Sequence, residues 1–174
     1  MLYLKAANSE DIEKEYSYIT SLPADENGFT NPNAGVSRED FESVVLPRCI
    51  NHSQGIDLPQ GYVPCTEFFL WEDDEIVGLF RIRHELNDFL REGAGHIGYG
   101  IKKEHRGKGY ATKGLALTIE KAREIIKEEE IYMSVHKDNP ASLQVQMKNG
   151  AYIHHEDDKE YYTRIKLQDN TDKE

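Results

Sequence analysis

Arg106-Gly107-Lys108-Gly109-Tyr110-Ala111 decides the fold. It follows His96 to Ile101, which reads as a β-strand, and opens a run in which Ala111, Leu115, Ile119, Ala122 and Ile126 recur at three- and four-residue steps. Those apolar positions make one buried stripe, so a strand gives way to a long amphipathic helix through a turn with two glycines. Glycine permits dihedrals and close backbone approach that other residues forbid, and the N-H groups of such a turn can face a ligand. The helix start behind it favours anions through unpaired N-H groups and the macrodipole. Charge agrees: from Lys102 to Lys113 the chain carries +4, leaving -15 for the rest of a chain whose formal charge is -11. An ordinary first turn favours acids, whereas this one is ringed with bases, as a multiply charged anion would require.

Outward from this stretch, Thr66 to Trp71 and Glu75 to His84 flank an acidic Asp73-Asp74 turn and read as a hairpin. Upstream lie a first strand in Met1 to Ala6, a helix from Asn8 or Ser9 to about Leu22, and a second from Ser37 to about Ile50. Polar loops at Pro23 to Val36 and Asn51 to Pro64 separate them. Downstream, the long helix is expected to end near Glu129, followed by a strand Ile131 to His136, a short helix Pro140 to Asn149, and strands Ala151 to Ile153 and Tyr161 to Leu167. This order predicts a mixed α/β fold, a central mixed sheet of about six to seven strands flanked by about four helices. One domain over 1–168 is expected, with a frayed tail at 169–174.

Composition narrows the function. The acidic balance argues against a nucleic-acid binder and suits a cationic or amine-bearing partner. No apolar stretch is long enough to cross a bilayer and the N-terminus lacks a secretory pattern, so a cytoplasmic protein without membrane partner is expected. Cys49 and Cys65 have neither metal-ligand spacing nor a secretory context, and no metal is expected. A monomer or a homodimer both remain open.

Arg106-x-x-Gly109-x-Ala111 after the Ile97-Gly98-Tyr99-Gly100-Ile101 strand resembles the pyrophosphate-binding motif of the GNAT superfamily of N-acetyltransferases. A P-loop would need Gly-x-x-x-x-Gly-Lys and then Ser or Thr, and a dinucleotide fingerprint a third glycine; both are missing. The resemblance implies acetyl-CoA as co-substrate, its diphosphate held by Arg106, Gly107, Lys108, Gly109, Tyr110, Ala111 and Thr112, its pantetheine arm near Ile101 and Lys103. A second segment, Asn139-Pro140-Ala141-Ser142 up to Gly150, resembles the family's other cofactor motif and implies roles for Asn139 and Ser142. An Asn cap, Pro at the first helical position and a closing Gly also suit a short helix on their own. The match is specific from about His96 to Tyr152, roughly the C-terminal half of the chain.

Acyl transfer to an amine needs the amine neutral, stabilisation of the oxyanion, and a proton for the departing thiolate. A lysine-like amine is neutral in only about one molecule in a thousand at pH 7, so desolvation or a base must help. The resemblance puts His96 where relatives carry a glutamate base. Strand parity places it on the face of Gly98 and Gly100. Glu67 on the neighbouring strand is the alternative base. The family's acid, a tyrosine, is replaced by Gln146, with Tyr110 or Tyr152 as stand-ins. The expected activity is N-acetyl transfer from acetyl-CoA to a primary amine of a small molecule or peptide. The alternative is a non-catalytic acyl-CoA-binding module that kept the cradle and lost the acid.

Overall fold

The computed structural model describes residues 1–167; the expected frayed tail and the domain end at 168 lie outside the described residues. Strand β1 (Leu2–Ala6) is followed by α1 (Ile12–Ser21), whose entry is fixed by Asn8 Oδ1 accepting the Asp11 N-H at 3.0 Å. Within the segment 23–36, expected to be a plain loop, a small hairpin forms from β2 (Asp25–Glu26) and β3 (Phe29–Thr30), turning through Asn27 and Gly28 at positive φ. The helix expected from Ser37 is present, with the Ser37 side chain accepting the Asp40 N-H. It changes pitch, running as α2 (Arg38–Asp40), a π turn over Phe41–Val45, and α3 (Leu46–Ser53). Pro47 explains the wide turn: it has no N-H to donate and its ring crowds the preceding turn, which the π geometry opens.

The anticipated hairpin is β4 (Cys65–Glu72) with β5 (Glu75–Arg83), joined by Asp73 and Asp74 with Asp73 at φ 51°. A short helix missed in sequence, α4 (Asp88–Glu92), is capped by Asn87, whose Oδ1 accepts the Leu90 N-H. Then come β6 (Ile97–Ile101), a 3-10 turn at Lys103–His105 and α5 (Tyr110–Ile125). β7 (Glu130–His136), α6 (Pro140–Lys148), β8 (Tyr152–Glu156) and β9 (Glu160–Lys166) complete the chain. α5 stops short of Glu129: Ile126 is already extended at φ -84° and ψ 137°, and Glu128 beyond it accepts the Leu86 N-H at 3.1 Å.

The seven longer strands form two antiparallel sheets, β1-β4-β5-β6 and β7-β9-β8. They meet at an isolated bridge between Gly95 and Met133, reinforced by the His96 N-H to Tyr132 O at 2.7 Å. Gly95 makes that contact possible: it sits at φ 69°, and a Cβ there would lie 2.1 Å from the Tyr132 carbonyl oxygen. Beyond the bridge β6 and β7 belong to separate sheets, and a split opens between them.

The first sheet is buried on both faces. Phe80, Leu70 and Ile82 pack with Leu115 and Ala122 of α5, while Phe69, Trp71 and Leu79 pack with Tyr18 and Ile19 of α1 and Phe41 of the π turn. Burying each large apolar side chain contributes about 1.5–3 kcal/mol, so these two clusters hold β6 and the start of α5 in place. Among the described residues no helix is long and apolar enough to cross a membrane.

Candidate active site

One cavity of about 490 Å³ runs through the split. At one end it is lined by Arg106, Gly107, Gly109, Tyr110, Ala111 and Thr112, with Ile101 beside them. Gly107 and Gly109 have φ 78° and 79°, and a Cβ on either would meet nothing within 4 Å. The turn is therefore not squeezed by protein; its open space lies in front of the start of α5. That helix has no side-chain cap and no acid in its first turn, so its leading N-H groups face the opening without an internal partner. Lys103 and Lys108 do not line the cavity and stand on its exposed outer side, where they add positive field rather than contacts. Arg106 donates from Nε to Ile101 O at 2.9 Å and pairs through Nη2 with Glu26 of the small hairpin at 2.5 Å.

The middle of the cavity lies between Tyr99 of β6, Ser134 of β7 and the start of α6. Asn139 and Ser142 both line it, yet each is already engaged: Asn139 Oδ1 accepts the Ser142 N-H at 3.3 Å, capping α6, and Ser142 Oγ lies 2.6 Å from the Tyr99 hydroxyl. Gln146 is wholly buried and accepts the Thr163 hydroxyl at 2.6 Å. Of the two tyrosines named as stand-ins for the acid, Tyr110 lines the cavity and Tyr152 does not, its hydroxyl donating to Glu130 on the surface. Tyr99 was missed in sequence. Burial raises its pKa, partly countered by its hydrogen bond with Ser142, so it keeps its proton near neutrality.

The other end is lined by Phe29, Asn31, Arg81, Arg83, Ala94 and Gly98. Phe29 lies over Gly98 and Gly100, where Cβ atoms would stand 3.4 and 3.2 Å from its ring, and the Arg81 guanidinium lies 5.1 Å from its centroid. Gly28 approaches His136 on the far side of the split, so the hairpin bridges both sheets.

The two residues named as bases stand outside this lining. Strand parity does not hold at His96, because β6 begins at Ile97 and the chain at Gly95 and His96 crosses to β7. The ring is fully buried, with Nδ1 accepting the Tyr132 N-H at 2.9 Å and Nε2 3.2 Å from Glu128 Oε2. Burial lowers its pKa and Glu128 only partly opposes that, leaving a neutral imidazole at the seam of the sheets. Glu67 sits behind Arg81, accepting from its Nε and Nη2 at 3.1 and 3.0 Å. Arg81 and Arg83 left one trace in the sequence: two cations two residues apart at the end of an otherwise apolar strand. Phe29 left none, since its place depends on a hairpin folding back over β6. Among the described residues no cluster of three or more His, Cys, Asp or Glu side chains is placed to hold a metal ion.

The description of an acetyltransferase (GNAT) domain matches residues 2–152. No curated protein matches the chain at a significant level. Among solved structures, the Campylobacter jejuni N-acetyltransferase PseH in complex with acetyl coenzyme A is 19% identical, with TM-score 0.61, covering 97% of this chain and all of that one. The spermidine N-acetyltransferase from Vibrio cholerae in complex with CoA and spermine is 17% identical, with TM-score 0.62 and 95% of each chain covered. RimL, a ribosomal L7/L12 α-N-protein acetyltransferase in complex with coenzyme A, is 15% identical, with TM-score 0.68, covering 95% of this chain and 94% of that one. At these identities the likeness is one of fold.

Proposed function

This chain belongs to the GNAT acetyltransferase family, acyltransferases with acetyl-CoA as co-substrate, and we propose that it transfers the acetyl group to a primary amine of a small molecule or peptide by direct attack on the thioester. The observation that carries this reading is the continuity of one cavity from the open Gly107 and Gly109 turn, through the split between β6 and β7, to a separate end lined by Phe29, Arg81 and Arg83. A two-substrate reaction needs both ends; storage of the cofactor needs only the first.

Acetyl-CoA supplies an acyl group activated as a thioester. The N-H groups of the turn and of the first turn of α5 hold its diphosphate, with Arg106 adding charge once released from Glu26. β6 is an edge strand of its sheet, so its outward N-H groups are free to stabilise the oxyanion. Desolvation between Phe29, Ala94 and Ile97 favours the neutral amine. In this reading neither His96 nor Glu67 takes the amine proton directly: the attacking nitrogen gives its proton to solvent in the cavity, His96 steadies the seam of the sheets and Glu67 balances Arg81. Tyr99 protonates the leaving thiolate, since its hydroxyl stands beside Ser142 on the helix where the family's tyrosine is replaced by Gln146.

The burial of Gln146, with its amide held by Thr163, favours a second reading, an acyl-CoA-binding module without turnover. Incubation with acetyl-CoA and a panel of amines separates the two. Release of free thiol that depends on the amine supports transfer; saturable uptake of coenzyme A with no thiol release across the panel supports the module.

A further inference from the structure

Among the described residues, the charges lining the cavity are answered one by one, with a single exception. Arg81 is paired with Glu67, Arg106 with Glu26, and His136 lies 3.6 Å from Glu160. Arg83 lines the same cavity, and among the described residues no carboxylate lies within ion-pairing distance of it. Its one side-chain bond runs from Nη1 to Gly95 O at 3.2 Å, which leaves Nε and Nη2 without a partner. Burial, then the neighbouring charge of Arg81, lower its pKa, yet a guanidinium stays charged near neutrality. In a chain of net charge -11, Arg83 is a half-buried cation of this cavity that no acid answers, so its free edge is open to an anionic ligand.

Its position says which ligand. Arg83 follows Arg81 on the same face of β5, the face that Gly98 shares across the strand pair. Its backbone N-H is bonded to His96 O and its side chain to Gly95 O, so it is fastened to the closed end of the split. The free Nε and Nη2 edge of a guanidinium matches the two oxygens of a carboxylate.

Resting on the reading of this cavity as an amine acceptor site, we infer that the acceptor carries a carboxylate, received by Arg83. The amines it takes are amino acids or peptide-like acids, and polyamines are poor acceptors although the protein surface is acidic.

The test compares, on the full chain with acetyl-CoA, amino acids such as phenylalanine, leucine and lysine with their amides and their decarboxylated amines. The free acid is expected to be preferred in kcat/KM by at least about tenfold. In Arg83→Gln that preference falls to near unity, with coenzyme A affinity unchanged. Equal use of acid and amide by the wild type, better use of spermidine, or a preference that survives Arg83→Gln overturns the inference. A stronger preference for phosphoethanolamine overturns the carboxylate specifically. Should Arg83→Gln fail to fold, Arg83→Lys keeps the charge without the fork, and an undiminished preference there counts against the assignment. Titrating the coenzyme A complex with the same pairs gives a readout without turnover. No thiol release with any amine would defeat the transferase reading, while the binding preference would still decide the carboxylate.

Discussion

The two ends of the cavity are built from different material. In the proposed reading, the ligand-facing groups at the cofactor end are backbone: the N-H groups of a turn whose two glycines leave open space, and the uncapped start of α5. At the acceptor end they are side chains, Phe29 from the small hairpin and Arg81 and Arg83 from β5, brought together from two separate segments. Backbone donors recognise a diphosphate whatever the neighbouring side chains are, so one cradle serves many acceptors. Side chains recognise one shape and charge, so specificity is concentrated where the chain is assembled from distant parts.

Gly109→Val tests the first half of this contrast and should have the largest effect. A β-branched residue is strained in the left-handed region that Gly109 occupies at φ 79°, and its Cβ enters the space where the diphosphate would lie. Coenzyme A affinity measured by calorimetry should weaken by about a hundredfold, about 2.7 kcal/mol. Unchanged affinity would mean that the backbone of this turn does not hold the ligand.

Tyr99→Phe probes the seam between the ends. If its hydroxyl protonates the thiolate, kcat should fall by about ten- to a hundredfold while coenzyme A affinity holds. The ring's stacking on Phe80, with centroids 5.3 Å apart, survives the change, so a stability loss alone would not explain a fall in kcat. Full activity in the variant would return the proton to solvent.

The contrast also explains what could be read from sequence. The turn from Arg106 to Ala111 is contiguous, its glycines and bases carry their meaning locally, and α5 follows by periodicity. The hairpin β4-β5 was legible for the same reason, from alternation and an acidic turn. His96 was misplaced because strand parity assumes a regular strand, whereas Gly95 bends the chain onto β7 through a contact 38 residues downstream in sequence, visible only after folding. Tyr99 and Phe29 escaped for a related reason: an aromatic residue in a strand or loop looks like core until its partners, here Ser142 and the Gly98 to Gly100 face, are in place.

Glu26→Gln asks whether the ends are independent. The small hairpin that carries Phe29 over β6 also holds Arg106 through Glu26, so ligand at the cofactor end competes with a residue of the acceptor-side roof. Both partners are well exposed, and such pairs contribute about 0–1 kcal/mol. Removing the acid should tighten coenzyme A binding by no more than a few fold. Looser binding would show that the pair organises the cradle instead of competing for it.

The smallest expected effect concerns the layer beneath the acceptor end. Glu15 on α1 is almost wholly buried, accepts the Asn8 N-H at 2.9 Å through Oε1 and leaves Oε2 without a partner. Burial pushes its pKa up from 4.5 to about 8, with the Asp11 and Glu67 charges adding to the rise. Between those values the folded chain keeps a proton that the unfolded chain has released, so stability must fall as pH rises through that window. Glu15→Gln fixes the neutral form. Its Tm should match the wild type near pH 4.5 and exceed it near pH 8, while coenzyme A affinity stays the same at both, because Glu15 does not line the cavity. Parallel Tm profiles would show that Glu15 is ionised in the folded protein. A change in cofactor affinity would show instead that the two ends of the cavity share their support.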